Sequence, residues 1–158
     1  MRAKRRFSNR SATVHQQLSN HLNSAEIEGD FQMNRKPFPF EKLEVWQDAR
    51  VLVASVYQQT RSFPKTEMFN LVSQLNRAAV SVASNLAEGS VRGSLKDQAH
   101  FSNLAYGSLM EGACQIILSG DLGFIPAENA EPLLGTMQDL SVRIHNLRES
   151  QLRRASAS

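Results

Sequence analysis

The sequence predicts an all-α protein that folds as an antiparallel up-down four-helix bundle. Apolar residues recur at intervals of three and four over four long segments, which is the spacing of one helix face. No segment shows the alternation of apolar and polar residues that marks a half-buried strand. Because the connections between the segments are short, neighbouring helices are expected to be antiparallel. With 158 residues and 41% hydrophobic content, the chain has room for one domain and a tail.

The first two helices are expected on either side of a proline-containing break. The first runs from about Phe40 to Arg61 and ends at the segment 62–65. Thr66 is the expected N-cap of the second helix, and Gly89 is the residue expected to end it.

The third and fourth helices have their own start and stop signals. Ser94 is the expected N-cap of the third helix, which runs to about Leu122 and stops at Gly123. Gly107 and Gly112 lie inside this helix, and close approach of another helix is their expected compensation. Pro126 fits the first turn of the fourth helix. That helix carries a heptad-like apolar seam made of Leu133, Met137, Leu140, Ile144 and Leu147.

The second helix carries a polar stripe beside its apolar face. The stripe consists of Gln74, Arg77, Ser81, Asn85 and Glu88. A helix face in water normally carries Lys and Glu, so these mostly uncharged side chains indicate a polar seam inside an assembly. Four further apolar residues, Val72, Val80, Ala83 and Ala87, widen the apolar arc to more than half of the helix circumference. Either this helix is unusually central in its own bundle, or another subunit covers its back.

The basic character of the chain belongs to its first residues. The net charge is +3, but residues 1–36 hold seven basic and three acidic side chains, whereas residues 37–158 hold 11 basic and 12 acidic ones. We predict a disordered basic tail over residues 1–36, with Met33 as an alternative translation start. The four-helix bundle is predicted over residues 37–152, and residues 153–158 are predicted to be a frayed C-terminus. A nucleic-acid-binding surface on the bundle therefore has to come from clustered charges.

Two pairs of charged residues are the candidates for a functional role. Glu111 shares a stripe of the third helix with apolar residues and Ser108, so it is expected to lie in a buried seam, with Arg77 as its partner. An ion pair that fixes helix register is one interpretation, and a ligand-binding, inter-subunit or catalytic role is the alternative. Glu88 and Arg92 form the second pair, for which capping with solvated charge, anion binding and subunit contact are the alternatives.

The sequence predicts no enzymatic activity, cofactor or metal site. A nucleophile with a base and an oxyanion site cannot be assembled, and Asp97 with His100 lacks the paired Glu-x-x-His helices of di-iron bundles. The single Cys114 excludes an intrachain disulfide and a zinc site built on several cysteines. No apolar run approaches the ~20 residues that span a bilayer, and the basic N-terminus lacks the apolar segment of a secretory signal. A cytoplasmic protein without a membrane partner is expected.

Three segments of the chain resemble a known family. The segments are FEKLEVWQDARVL, FPKTEMFNLVSQLNRAAVSVASNLAEG, and FSNLAYGSLMEGACQ followed by LGFI. They resemble the four-helix-bundle proteins associated with intervening sequences in bacterial 23S ribosomal RNA, in order and spacing, over about residues 40–152. The run from Gln74 to Gly89 is the most specific part, and Gly107-Ser108-x-x-Glu111 is the next. This chain departs from the family at Asn76, where a second arginine is frequent, and at Gly112, where a larger apolar residue is usual.

The resemblance implies a bacterial cytoplasmic protein that assembles as a ring, typically a homopentamer, and has no established enzymatic activity. Genes of the family can lie in segments excised from ribosomal RNA, which implies a connection with nucleic acid. A related branch, the accessory variability proteins of diversity-generating retroelements, forms basic pentameric barrels that bind nucleic acid and a partner reverse transcriptase. The near-neutral bundle of this chain differs from that strongly basic branch.

The sequence and the resemblance together indicate two functions of different classes. The first is a non-enzymatic homo-oligomer that binds RNA or DNA electrostatically through Arg77, Arg92 and Lys96. The second is an oligomeric adaptor or scaffold for a protein partner such as a reverse transcriptase. In both, the structural or oligomer seam consists of Gln74, Arg77, Ser81, Asn85, Glu88, Ser108 and Glu111. An enzyme is a third and disfavoured alternative, which a ligand at Glu111 would revive.

Overall fold

The computed structural model describes residues 35–157, which form four α-helices and no strand. The expected all-α class is therefore confirmed for this part of the chain, while the tail prediction and the alternative start at Met33 lie outside the described residues. Short 3-10 turns at Pro39–Lys42 and Lys65–Glu67 precede the first two helices. The helices are α1, Glu44–Thr60; α2, Leu71–Ser90; α3, Leu95–Asp121; and α4, Ala127–Ser156.

Consecutive helices run antiparallel and close into a bundle. Helix α1 packs against α2 and α4, and α3 packs against the same two helices. The hydroxyls of Ser81 on α2 and Ser108 on α3 are 2.8 Å apart, and the Ser102 hydroxyl of α3 donates to Gln151 Oε1 of α4 at 2.8 Å. Arg143 of α4 forms an ion pair with Asp48 of α1, which ties the last helix to the first.

The core contains apolar side chains from all four helices. The largest fully buried ones come from each helix in turn: Leu52, Val56, Leu75, Val82, Leu109, Ile116, Met137, Leu140 and Ile144. Burying one such side chain contributes about 1.5–3 kcal/mol. The seam predicted on α4 is confirmed at its first four positions, which are buried, and Leu147 packs against the core while partly exposed.

The helix boundaries agree with the sequence in α3 and differ in α1 and α2. Ser94 accepts a hydrogen bond from the Asp97 backbone N–H at 3.0 Å, as an N-cap does, and Gly123 has a φ of 74° where α3 stops. The prediction of Thr66 as an N-cap is wrong. Thr66 lies inside the second 3-10 turn, and Asn70, with φ −106° and ψ −109°, separates that turn from α2.

Two other boundaries shift by a few residues. Leu43 has an extended backbone, with φ −79° and ψ 117°, so α1 begins at Glu44 and not at Phe40. Pro126 occupies the N-cap position, one residue before the first turn of α4. Helix α4 continues to Ser156, so residues 153–156 are helical beyond the boundary expected at Leu152.

Three glycines differ in what surrounds them. A Cβ atom on Gly89 would lie 2.8 Å from Phe101 Cβ, so this glycine serves close packing on α3, and α2 ends one residue later. A Cβ atom on Gly112 would lie 3.5 Å from Met137 Cε and 3.8 Å from Ala78 Cβ, which confirms the expected approach of α2. Outside the neighbouring backbone of α3, no atom of the described residues lies within 4 Å of a Cβ atom on Gly107, so the approach of another helix expected there is absent in the single chain.

Alanine should have opposite effects at the first two of these positions. We expect Gly89→Ala to lower the free energy of unfolding by about 1–3 kcal/mol, because the methyl group overlaps Phe101 Cβ, which is fixed to the backbone. We expect Gly112→Ala to raise it by about 0.5–1 kcal/mol, because its methyl group makes ordinary contacts and alanine favours helix. Urea unfolding followed by circular dichroism measures both, and equal effects of the two substitutions would contradict the packing described here.

Candidate functional site on helices α2 and α3

Small residues bring α2 and α3 together and fix their register. Ala78 lies opposite Gly112, and Ser81 lies opposite Ser108. Asn85 Nδ2 reinforces the contact by donating to the Ser81 carbonyl at 2.8 Å and to the Ser81 hydroxyl at 3.1 Å. These neutral hydrogen bonds hold the polar stripe of α2 against one side of α3.

The predicted seam lies on one face of the bundle, and this face is open in a single chain. Ser81, Asn85 and Ser108 are half-buried where the two helices meet. The longer members of the seam are exposed: Gln74, Arg77, Glu88 and Glu111. The structure therefore brings Ser81 and Ser108 of the predicted seam into contact and leaves the longer seam residues on an open face.

The expectation that Glu111 is buried and bound to Arg77 is wrong for the single chain. Gly112, the next residue, faces the core, so Glu111 is turned outward and is exposed. Arg77 and Glu111 flank the Ala78–Gly112 contact and lie within one helical turn of each other along the bundle axis. Within residues 35–157 no ion pair joins them, and Glu111 accepts one hydrogen bond, from Gln115 Nε2 at 3.2 Å.

Long stretches of α2 and α3 are almost free of charge, although the whole helices carry two charged residues in 20 and four in 27. Arg77 is the only charged residue between positions 71 and 87, and Glu111 is the only one between positions 101 and 120. Helix α1 carries three charged residues in 17, and α4 carries eight in 30. Helices that lack charge over most of their circumference are normally covered by protein.

The uncovered apolar surface is concentrated on α3. Within the described helices, eight large apolar side chains are exposed, and five of them belong to α3: Leu104, Tyr106, Met110, Ile117 and Leu118. Ile117 is 52% exposed and Leu118 is 47% exposed, whereas α2 contributes Val80, which is 41% exposed. The wide apolar arc of α2 was predicted from the sequence. The apolar arc of α3 was not predicted, although the scarcity of charge over positions 101–120 was a signal for it.

One buried polar atom beside the seam lacks a partner. Gln115 is 7% exposed, and its Nε2 donates to Glu111, but no atom in the described part of the chain donates to its Oε1. A buried polar atom without a hydrogen bond costs about 1–3 kcal/mol, so it is normally satisfied in the functional state.

The three residues predicted to bind nucleic acid do not form one cluster. Arg77 lies about 22 Å along α2 from Arg92, at the 1.5 Å rise of a helix. The Arg92 guanidinium forms an ion pair with Glu88 and lies 4.5 Å from the centre of the Phe101 ring. Lys96 is exposed and forms no ion pair within residues 35–157.

A second group of basic residues lies near Lys96. The Ser102–Gln151 hydrogen bond sets the antiparallel register of α3 and α4, so Arg153 and Arg154 in the last turn of α4 reach the end of the bundle where α3 begins. Both arginines are exposed. Because residues 153–158 were expected to be frayed, the sequence did not predict that α4 holds both arginines at the same end of the bundle as Lys96.

The described residues offer neither a metal site nor a membrane-spanning helix. No group of three or more His, Cys, Asp or Glu side chains is arranged to hold a metal ion within residues 35–157. None of the helices in that range is both long and apolar enough to cross a membrane.

The architecture and this face define a small four-helix-bundle protein whose second and third helices contain long uncharged stretches and expose apolar side chains. The model of the 23S rRNA-intervening sequence protein family matches residues 41–146, from the turn before α1 into α4. The chain therefore belongs to that family, as the resemblance of its motifs implies. A comparison with curated proteins gives no match.

The two hydroxyl contacts between helices should differ in strength. We expect Ser108→Ala to lower the free energy of unfolding by about 0.5–1 kcal/mol, because Asn85 still donates to Ser81. We expect Ser102→Ala to lower it by about 1–3 kcal/mol, because it removes the donor to Gln151 Oε1 on a buried side chain. Urea unfolding of the two variants at one protein concentration makes the comparison, and a larger effect at Ser108 would contradict this order.

Proposed function

We propose that this chain is a non-enzymatic, cytoplasmic bundle protein that assembles with copies of itself and binds RNA or DNA. The single observation that supports assembly is the neutral, apolar outer surface of α2 and α3. Five large apolar side chains of α3 are exposed there in one chain, and Glu111 is the only charge among them. Exposed apolar surface of this extent marks an interaction site in soluble proteins.

The proposed form of the assembly is a closed ring of five copies. Both the ring and the number five come from the resemblance of the sequence motifs to the family. A ring requires contacts between two different surfaces of each subunit, and the separate apolar outer sides of α2 and α3 meet that requirement.

Binding of RNA or DNA is the second part of the proposal. The described bundle is near neutral, so binding depends on local clustering, and the cluster of Lys96, Arg153 and Arg154 at one end of the bundle is the best candidate. The description of the family, which refers to 23S rRNA intervening sequences, supports RNA as the first nucleic acid to test. An adaptor for a protein partner is the competing function.

Assembly is tested by light scattering coupled to size-exclusion chromatography of the full chain. Each chain has a mass of 17.6 kDa, so a ring of five is expected at about 88 kDa. The sample is compared before and after nuclease treatment, and we expect nuclease to lower the absorbance at 260 nm without dissociating the protein. A monomeric mass at micromolar concentration would contradict the proposal.

Nucleic-acid binding is tested by fluorescence anisotropy with a labelled single-stranded RNA over a series of salt concentrations. We expect the logarithm of the affinity to fall linearly with the logarithm of salt, and Lys96→Gln/Arg153→Gln to reduce the slope by about 0.7 for each lost phosphate contact. Arg50→Gln, an exposed arginine on α1, is the matched control. Affinity that does not respond to salt, with unchanged slope in the double variant, would favour the protein-partner function.

A further inference from the structure

The two isolated charges on α2 and α3 have opposite signs and lie at nearly the same height in the bundle. Arg77 and Glu111 flank the contact between Ala78 and Gly112, so they are separated along the bundle axis by less than one helical turn. Both side chains are exposed, and neither forms an ion pair within residues 35–157. Each stands alone among apolar and small neutral neighbours.

We infer that Arg77 of one copy of this chain binds Glu111 of the next copy, so that the outer surface of α2 packs against the outer surface of α3. The outer surface of α2 includes the exposed residues Arg77, Val80 and Ser84, with Val91 at the C-cap, and Gln74 and Glu88 are the other exposed residues of this helix. The outer surface of α3 is the exposed set Gly107, Met110, Glu111, Cys114, Ile117 and Leu118. The inference rests on the proposed self-assembly and specifies the contact that builds it.

Charge complementarity indicates that the partner covering these two surfaces is a second copy of the chain. A cation on one apolar surface and an anion on the other would each lose water when covered, and each would need an opposite charge there. The other copy supplies that charge in both cases. Because the two residues lie at one height, copies related by rotation about an axis parallel to the bundle bring them together without an axial shift. Such a head-to-tail contact between different surfaces closes into a ring when the rotation permits.

Gly107 and Gln115 support the same contact. Gly107 lies in the middle of α3, where glycine costs about 1 kcal/mol relative to alanine, yet nothing in residues 35–157 approaches its Cβ position. A second helix packed on this surface would occupy the space that the missing side chain leaves. Gln115 Oε1, buried beside Glu111 and without a donor, would gain access to the donors of an incoming guanidinium.

Charge exchange tests the contact in the full chain. The variants are Arg77→Glu, Glu111→Arg and the two changes combined, with Arg50→Glu on the exposed side of α1 as the matched control. Each single change places like charges against each other in the contact, and we expect it to weaken self-association about 100-fold. The combined variant should assemble again. An equimolar mixture of the two single variants should also assemble, because each then meets the opposite charge in the other.

Native mass spectrometry of the mixture distinguishes a pair between copies from a pair within one chain. We expect complexes that contain both variants and are more stable than those of either variant alone but less stable than the wild type, because in a ring of five at most four contacts can join unlike charges. Recovery in the combined variant without recovery in the mixture would place the pair within one chain and overturn the inference. Single variants that assemble as the wild type does would also overturn it, as would an equal loss in Arg50→Glu. A monomeric wild type would instead overturn the proposed self-assembly itself.

The variant Gly107→Gln tests the proposed contact between copies without changing a charge. Its side chain enters open space in the single chain and favours helix, so the thermal unfolding curve of dilute protein should be unchanged or shifted upward. In the assembly the same side chain would lie against α2 of the neighbour, and we expect self-association to weaken about tenfold. Gly120→Gln, at an equally open glycine near the end of α3, is the control. Unchanged association in Gly107→Gln would overturn the contact.

Discussion

The bundle depends on the close packing of α2 against α3. Gly89, Ala78 and Gly112 remove side-chain bulk from this contact, and a hydrogen bond between Ser81 and Ser108 fixes its register. Close approach of two helices requires small residues on the facing sides, and these residues contribute little hydrophobic burial of their own. The long apolar side chains of both helices therefore divide between the core and the outer sides. Ile116 of α3 is fully buried, whereas its neighbours Ile117 and Leu118 are exposed in the single chain.

This division makes the two halves of the bundle chemically different. On the α1 and α4 side, charges occur in pairs, with Arg143 between Asp48 and Glu44, and with Arg148 beside Glu149. Such partly exposed pairs suit a surface in water, where each contributes at most about 1 kcal/mol. On the α2 and α3 side, Arg92 forms an ion pair with Glu88, while Arg77 and Glu111 lie on otherwise uncharged stretches. The same four helices therefore have one side with paired surface charges and another side with exposed apolar side chains.

Periodicity in the sequence was sufficient to predict the four helices and the core seam of α4, because a buried apolar stripe has one dominant spacing. Ser94 was predictable because a cap is a local interaction. The exposure of Glu111 was not predictable. Periodicity places residues on one stripe of a helix, but it does not decide whether the edge of that stripe lies inside or outside the core. The packing role of Gly89 was not predictable for a similar reason. A glycine near the end of a helix is equally compatible with a helix stop signal and with a close packing contact. Only the position of Phe101 on another helix distinguishes the two.

The proposed assembly would change how a weakly charged end of the bundle can bind nucleic acid. One copy presents Lys96, Arg153 and Arg154 near the start of α3, with Asp97 nearby, which gives a small local excess of positive charge. A ring whose axis is parallel to the bundles repeats this end on one rim, so the excess is multiplied by the number of copies and spread over a distance that a nucleic-acid strand can follow. Linked weak contacts bind far more tightly than one contact alone, and each added phosphate contact increases the dependence on salt. The Arg77–Glu111 contact would then act on nucleic-acid affinity without touching the nucleic acid, because it determines how many rim charges act together.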